Sequence, residues 1–545
     1  MKTLAALAAV AALSLGMVGT ADAGAAPSAS RSTQHVARDS ARAGYTPPAL
    51  HWHSCSDARL QAANAQCAML TVPMDYAHPS GTKIKIALSR VKHTASHYQG
   101  VMLVNPGGPG GSGLGLSTLG SAVPNHAGDA YDWIGFDPRG VGASQPSLSC
   151  NRTFFHGDRP PYKPTSKKIL RAWVTRSKRY AADCAKIKHS ALFRHVKTTD
   201  NVADMESIRK ALGQSQINYY GFSYGTYLGQ VYATLHPHQV RRMVLDSNVD
   251  PRQVFYKSNL AQDVAFQKTF NIYFDWIAKY HTVFHLGNTH RAVRARYLAT
   301  VAALNRHAAR GFLGGDEFTD VVLDAGYYVY DWVDIADAWA KLVHKHNAGP
   351  LIAMYKDANP TTKGGDNGYA IYLGTQCTDA AWPRSQKKLD RDSRRLNRKY
   401  DYETWDNAWF NGPCAYWKFP HSRPVHVADR GVSGHILLID ETYDPATPYE
   451  GSLYIRRVFP NSSLIEGKNG TTHAGSLSGV SCTDNSIARY LSNGTVPRRL
   501  PGNRSDKVCP PVPKPDPTVS DNSLQARSAG TPVTQAIRAA VLGRS

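Results

Sequence analysis

The stretch that most constrains the fold is "INYYGFSYGTYLGQVYA", residues 217–233. A run of β-forming residues passes directly into Gly221-Phe222-Ser223-Tyr224-Gly225, and a helical pattern follows with no spacer. Small residues on both sides of a serine at a strand-to-helix junction permit a sharp, strained turn that lifts the hydroxyl clear of the backbone. In an open α/β sheet that turn lies at the carboxyl end of the strands, where ligands bind. The helix beginning at Tyr224 aims its amino-terminal dipole at the same point and favours negative charge there. Alone, the segment reads equally as a glycine-bounded turn. The rest of the chain must decide.

Strand-like runs occur at 83–91, 100–107, 132–140, 217–223 and 241–247, with a helical pattern at 198–213 that stops at Gly213. Apolar strands separated by helices imply an α/β fold, a mostly parallel sheet with helices on both faces. Residues 51–251 form the first part of this core. Residues 252–425 change to long, aromatic-rich helical patterns such as "YYVYDWVDIADAWAKLV" (327–343), the layout of an inserted helical cap. Strand patterns return at 435–448 and 462–475, so 426–509 complete the core. Residues 510–545 begin as a Pro-rich tail and end in an amphipathic helical pattern, "TPVTQAIRAAVLGRS".

The amino terminus has an early lysine, a short apolar run and Ala21-Asp22-Ala23, which reads as a signal peptide over 1–23 with a flexible leader or propeptide over 24–50. No later stretch is apolar enough to cross a bilayer, so the expectation is a secreted, extracellular protein without a membrane anchor. In an oxidising setting the eight cysteines read as four disulfides between sequence neighbours: Cys55–Cys67, Cys150–Cys184, Cys377–Cys414 and Cys482–Cys509. Without a Cys-x-x-Cys pair or a tight Cys/His spacing, they are poor zinc ligands, and no metal is expected.

A net charge of +22 raises a polyanion partner. Residues 151–200 alone carry 13 Lys/Arg against 3 Asp/Glu, and a second basic cluster lies at 384–400. These residues fall among helix formers with no stacking platform of aromatics. They read as a solvated basic face for loose binding to anionic surfaces, and no nucleic acid is expected as a partner.

A nucleophilic serine needs a base, and the base needs an orienting acid. In this fold class the order is Ser…Asp…His, each partner just beyond a late strand. "ILLIDETYDPATP" presents Asp444 in a turn, favoured over Asp440 inside the strand and Glu441 at its end. "LIEGKNGTTHAG" presents His473 in a Gly/Thr loop. "VNPGGPGGSG" (104–113) supplies an oxyanion loop, with the amides of Gly108 and Tyr224 as donors. That loop lacks the Gly-Lys-Ser/Thr of a phosphate cradle. No organic cofactor is needed.

Together, "CAMLTVPMDY", "LVNPGGPGGSG", "FDPRGVGAS", "YYGFSYGTYLGQVYA", "VLDSNVDP", "DPATPYEG" and "GTTHAGS" resemble the secreted tripeptidyl aminopeptidase family of α/β-hydrolases, related to prolyl aminopeptidases, over about residues 50 to 510. The resemblance implies Ser223 as nucleophile, Asp444 as acid and His473 as base. It also implies release of short peptides from a free N-terminus. Relatives carry a Gly-Glu pair just before the catalytic Asp where this chain has Glu441-Thr442. If that glutamate holds the substrate ammonium in relatives, this chain uses another carboxylate; Asp379, which resembles the family's acidic position in the cap and reads equally as a helix cap, is the candidate, and Glu441 stands beside it as a substrate-binding residue. An ester or lipid hydrolase on the same triad, and a catalytically silent binding protein, are the other readings.

Overall fold

The protein is described here by a computed structural model covering residues 45–519. The signal-like segment 1–23, most of the leader and the carboxyl-terminal helical pattern lie outside the described residues. Ten strands form one sheet: β1 (His53–Ser54), β2 (Gln66–Pro73), β3 (Lys83–Val91), β4 (Val101–Asn105), β5 (Asp132–Phe136), β6 (Ile217–Phe222), β7 (Val240–Asp246), β8 (His435–Glu441), β9 (Ser462–Gly467) and β10 (Lys507–Cys509). Their order is β1-β2-β3-β5-β4-β6-β7-β8-β9-β10. The first three strands and the β3–β5 pair are antiparallel; every other neighbouring pair is parallel.

Burial follows from this position in the sheet. Every residue of β4 and β6 is buried, as expected for central parallel strands covered on both faces. Along β8, Ile436 and Leu438 pack into one core cluster with Tyr219 and Leu245. The alternate Leu437 and Ile439 join Tyr220 and Phe222 in a second cluster across the sheet. A third cluster, built on Phe266, Phe270, Tyr273, Trp332 and Trp339, belongs to helices between β7 and β8. Among the described residues this segment holds no strand of the sheet, and its longest helix is Tyr256–Lys279.

One feature departs from the sequence reading. The pattern over 327–343 is not one helix. A helix Gly315–Tyr327 ends there, Tyr328 is extended, and a second helix runs Trp332–Lys345. The break has a partner: the Tyr327 carbonyl accepts the His473 N–H at 2.9 Å. The basic stretch after 151 holds a 20-residue helix, Lys167–Lys186, whose buried face is Trp173, Ser177, Tyr180, Ala181 and Cys184.

The four disulfides are Cys55–Cys67, Cys150–Cys184, Cys377–Cys414 and Cys482–Cys509. Beyond β10 the tail packs along the inserted helices. Val512 is buried, and Trp276 donates its indole N–H to the Pro515 carbonyl at 2.9 Å. No helix among the described residues is long and apolar enough to cross a membrane.

Candidate active site

Ser223 terminates β6 and precedes the helix Tyr224–Leu235, with φ 55° and ψ −126°. A side chain rarely adopts that backbone state without strong constraint. Here the Ser223 N–H is fixed by the Asp246 carbonyl at 3.1 Å. Both flanking glycines are required by close approach: a Cβ at Gly221 would lie 2.6 Å from the Gly225 carbonyl oxygen, and one at Gly225 would lie 2.6 Å from that of Asn105. The turn is therefore packed against the end of β4, and the 104–113 loop crosses directly over it. A Cβ on Gly107 would meet the Phe222 carbonyl oxygen at 2.5 Å and the Tyr224 nitrogen at 2.9 Å. Within this loop Gly107 N–H is held by Asn105 Oδ1 and Gly111 N–H by the Gly107 carbonyl. The Gly108 and Tyr224 amides take no part in those bonds.

His473 lies in the loop after β9 and Asp444 in the turn after β8. The imidazole Nδ1 is 2.7 Å and 3.0 Å from the two carboxylate oxygens, and both side chains are fully buried. Asp444 also accepts the N–H groups of Ala446 and Thr447, each at 2.9 Å, and the Thr447 hydroxyl at 3.0 Å. Its rotamer is thus set by its own turn. The His473 Nε2 is buried and has no hydrogen-bond partner, so the edge of the ring opposite Asp444 is uncommitted.

The histidine loop is anchored by residues that sequence reasoning passed over. Ala474 N–H donates to Ser247 Oγ at 2.7 Å, and Ser476 N–H to Asp246 Oδ2 at 2.9 Å. Burial pushes the Asp246 carboxyl up to about 6. Both anchors sit in the "VLDSNVDP" run, whose signal is a polar Asp-Ser pair closing an otherwise apolar strand. Asp440 faces away, hydrogen-bonded to Ser452 Oγ at 2.5 Å. Asp444, not Asp440 or Glu441, is the carboxylate that meets His473.

The two substrate-binding assignments are corrected. Glu441 is buried beneath the histidine loop, where Oε2 accepts the Thr472 N–H at 2.5 Å and Oε1 the Val512 N–H at 2.6 Å. It ties the tail to the loop, and burial pushes its carboxyl up to about 8. Asp379 accepts the Thr198 N–H at 2.8 Å and also the Thr198 hydroxyl, which in turn meets Tyr224 Oη at 2.6 Å. It caps the helix Thr198–Ala211, and burial pushes it up to about 7. Neither carboxylate lines a cavity at Ser223.

Two recesses meet at Ser223, sharing Gly108, Pro109, Gln262, Gln376 and Ala446. The larger, about 1370 Å³ counted to its open mouth, runs among the inserted helices and is walled by Phe155, Tyr327, Tyr369, Tyr372 and Phe410. It also holds acidic residues. Asp320 is committed to Arg159 and Tyr162, and Asp366 to two backbone amides and Tyr180. Glu403 and Asp406 are different: Glu403 Oε2 and Asp406 Oδ2 are buried without a hydrogen-bond partner, and neither residue has an ion-pair partner among the described residues. Burial holds both carboxyls well above their ordinary range. Sequence reasoning missed them, since they lie in a short helical stretch, "DYETWDNAWF", far from any motif. The smaller recess, about 890 Å³, is lined by Tyr224, Phe255, Thr447 and Pro448.

A serine on a strained strand-to-helix turn with a glycine loop packed over it, and a buried Asp–His pair in the loops after the last core strands, are the parts of a serine hydrolase. The chain belongs to the alpha/beta hydrolase fold family, whose model matches residues 100–470. It is 36% identical over 493 residues to a tripeptidyl aminopeptidase of Streptomyces lividans, covering 88% of this chain and 89% of that one. It is 29% identical to the serine protease Hip1 of Mycobacterium tuberculosis, over 82% of this chain and 89% of that protein. A protein named carboxylesterase B, from the same organism, is 30% identical over 84% of this chain and 91% of its own length.

Proposed function

We propose that the protein is a secreted serine exopeptidase that releases short peptides, tripeptides foremost, from the free N-terminus of peptide substrates. Ser223 attacks the scissile carbonyl while His473 Nε2 takes its proton. Asp444 holds the imidazole in the tautomer that leaves Nε2 free to accept, and stabilises the imidazolium that forms. The Gly108 and Tyr224 amides receive the negative oxygen of the tetrahedral intermediate, a role that fits two N–H groups beside a helix amino terminus. His473 then passes its proton to the leaving amine, and water releases the acyl-enzyme by the same path. Export accords with the signal-like 1–23 segment and with four disulfides.

The observation that carries the exopeptidase reading is the pair of buried carboxylates Glu403 and Asp406, each with one oxygen that has no hydrogen-bond partner, in the same recess as Ser223. Buried carboxylates without partners are costly, and an incoming ammonium removes that cost. The substrate's N-terminal portion then occupies the aromatic recess, and its leaving portion the smaller one. Product analysis on a short-peptide library tests this. Free N-termini should yield short N-terminal fragments, and N-acetylation should abolish them; equal cleavage of acetylated peptides, or internal cutting, rejects the reading. The carboxylesterase-named relative favours a second reading, hydrolysis of acyl esters on the same triad. Acyl ester turnover with no peptide turnover would select it.

A further inference from the structure

The peptidase reading makes no use of the two basic clusters of the sequence, and the fold brings them together. Over residues 163–189 nine Lys/Arg stand against one acid, Asp183, and over 384–399 eight stand against two, Asp390 and Asp392. The first set lies on the helix Lys167–Lys186 and its flanks, the second on the helix Gln386–Asn397 and its flanks. Both rest on the segment 412–417. The first helix packs so closely there that a Cβ at Gly412 would lie 2.4 Å from Ser177 Oγ. From the second, Gln386 Oε1 accepts the Tyr416 hydroxyl at 2.8 Å, and Arg384 donates to the Trp417 carbonyl at 3.1 Å. Lys178 Nζ lies 5.3 Å from the centre of the Tyr416 ring, so the two clusters adjoin across one side chain.

The acids within the clusters are consumed locally. Asp392 is buried against Lys388 and Arg391, and Asp390 pairs with Arg394. Asp183 accepts the Asn151 side-chain N–H, with Arg179 3.8 Å away. Lys168, Arg171, Lys178, Lys387, Arg395 and Arg398 are exposed and have no ion-pair partner among the described residues. Their spacing sets like charges side by side: Lys168 and Arg171 are three residues apart on one helix, and Lys387, Arg391 and Arg395 follow at steps of four on the other. Such pairs repel. A polyanion lying along both helices relieves that repulsion and releases its own condensed counterions.

What the face lacks narrows the partner. The exposed large apolar side chains among the described residues are Tyr98, Val264, Val283, Leu298, Val508 and Val519, and none lies in either cluster. The face has no apolar wedge for a bilayer and no exposed ring on which a base could stack. Its mixture of Arg and Lys suits phosphate oxygens, Arg through its planar fork and Lys as a point charge. We infer that this face binds a flexible linear polymer of phosphate groups. The polymer runs along the helix Lys167–Lys186, which offers about 30 Å of track, and crosses beside Tyr416 to Lys387 and Arg395.

The test is calorimetric titration of the intact protein with long-chain inorganic polyphosphate over a series of salt concentrations. The logarithm of the affinity should fall linearly with the logarithm of salt, by about 0.7 for each phosphate engaged. Pyrophosphate reaches few of the cations and should bind about a hundredfold more weakly or less. Lys168→Glu, Arg171→Glu, Lys387→Glu and Arg395→Glu together should weaken polyphosphate by about a hundredfold or more and flatten the salt slope. The same four positions changed to Gln should cost about tenfold or more, which decides the matter if the Glu variant does not fold. Lys92→Glu, Arg489→Glu, Arg498→Glu and Arg504→Glu make an equal charge change at exposed positions outside both clusters and should cost less than about fivefold, because salt screens distant charge. Absence of polyphosphate binding, an equal loss in both four-residue Glu variants, or binding to phosphatidylglycerol vesicles without binding to polyphosphate overturns the proposal.

Discussion

The carboxyl edge of the sheet and the helical segment between β7 and β8 hold their acids in opposite ways. At the sheet edge the three carboxylates around the histidine loop have their partners within the protein: Asp444 takes two amides, a hydroxyl and His473, Asp246 takes Ser476, and Glu441 takes Thr472 and Val512. In the inserted helices, Glu403 and Asp406 are buried beside aromatic rings with unpartnered oxygens. The first arrangement is complete without a ligand and fixes geometry. The second is incomplete without one and selects what enters. Pre-organised hydrogen bonds serve the chemical step, whereas unsatisfied buried carboxyls serve recognition.

The largest expected effect lies at the sheet edge. Ser223→Ala should lower kcat by about 10⁵-fold or more without a change in thermal stability, measured by steady-state hydrolysis and by calorimetry. Asp444→Asn should cost about 10⁴-fold in kcat with KM nearly unchanged, because the amide stabilises the wrong tautomer. If both losses appeared in KM alone, the sheet edge would not be the chemical half of the contrast. In the helical segment, Glu403→Gln with Asp406→Asn should raise KM for peptides with a free N-terminus by about ten- to hundredfold, the worth of charge-assisted hydrogen bonds. The same pair should leave hydrolysis of an uncharged ester nearly unaltered, and an equal loss on both substrates would erase the distinction. Asp379→Asn should do least: a stability loss of about 1 kcal/mol for the weakened helix cap, with KM unmoved.

Stability should report the buried acids collectively. Burial raises Asp246 to about 6, Asp379 to about 7, and Asp263 and Glu441 to about 8. Each is raised above its unfolded value, so the folded state binds more protons than the unfolded chain between the two. The contribution is fully present below the unfolded values and is lost as pH rises through the folded ones. The melting temperature should therefore fall from about pH 4, where the unfolded carboxyls ionise, to about pH 8, after allowance for global charge.

The same contrast explains what could be read from the chain alone. Ser223, Asp444 and His473 were legible because each sits where a strand pattern ends, and strand ends are visible as apolar runs meeting turn residues. The glycine loop was legible for a similar reason, since close backbone approach excludes side chains. Disulfide neighbours followed from loop closure between adjacent segments. Glu403 and Asp406 were not legible, because a helical surface acid and a buried one look identical without knowledge of what packs against the helix. Asp379 and Glu441 were misplaced for the converse reason. Their positions near the motifs are real, but Thr198 and the 510–519 tail, which claim their oxygens, are distant in sequence. The kink at Tyr327 likewise depends on a carbonyl taken by His473, a contact across more than a hundred residues that periodicity does not report.

Peptide mapping after treatment with a fluorophosphonate tests the central claim most directly. The account predicts a single adduct on the peptide containing Ser223, slow labelling when His473 is replaced by alanine, and none in Ser223→Ala. An adduct on a different serine, or labelling of Ser223 at the same rate without His473, would contradict it.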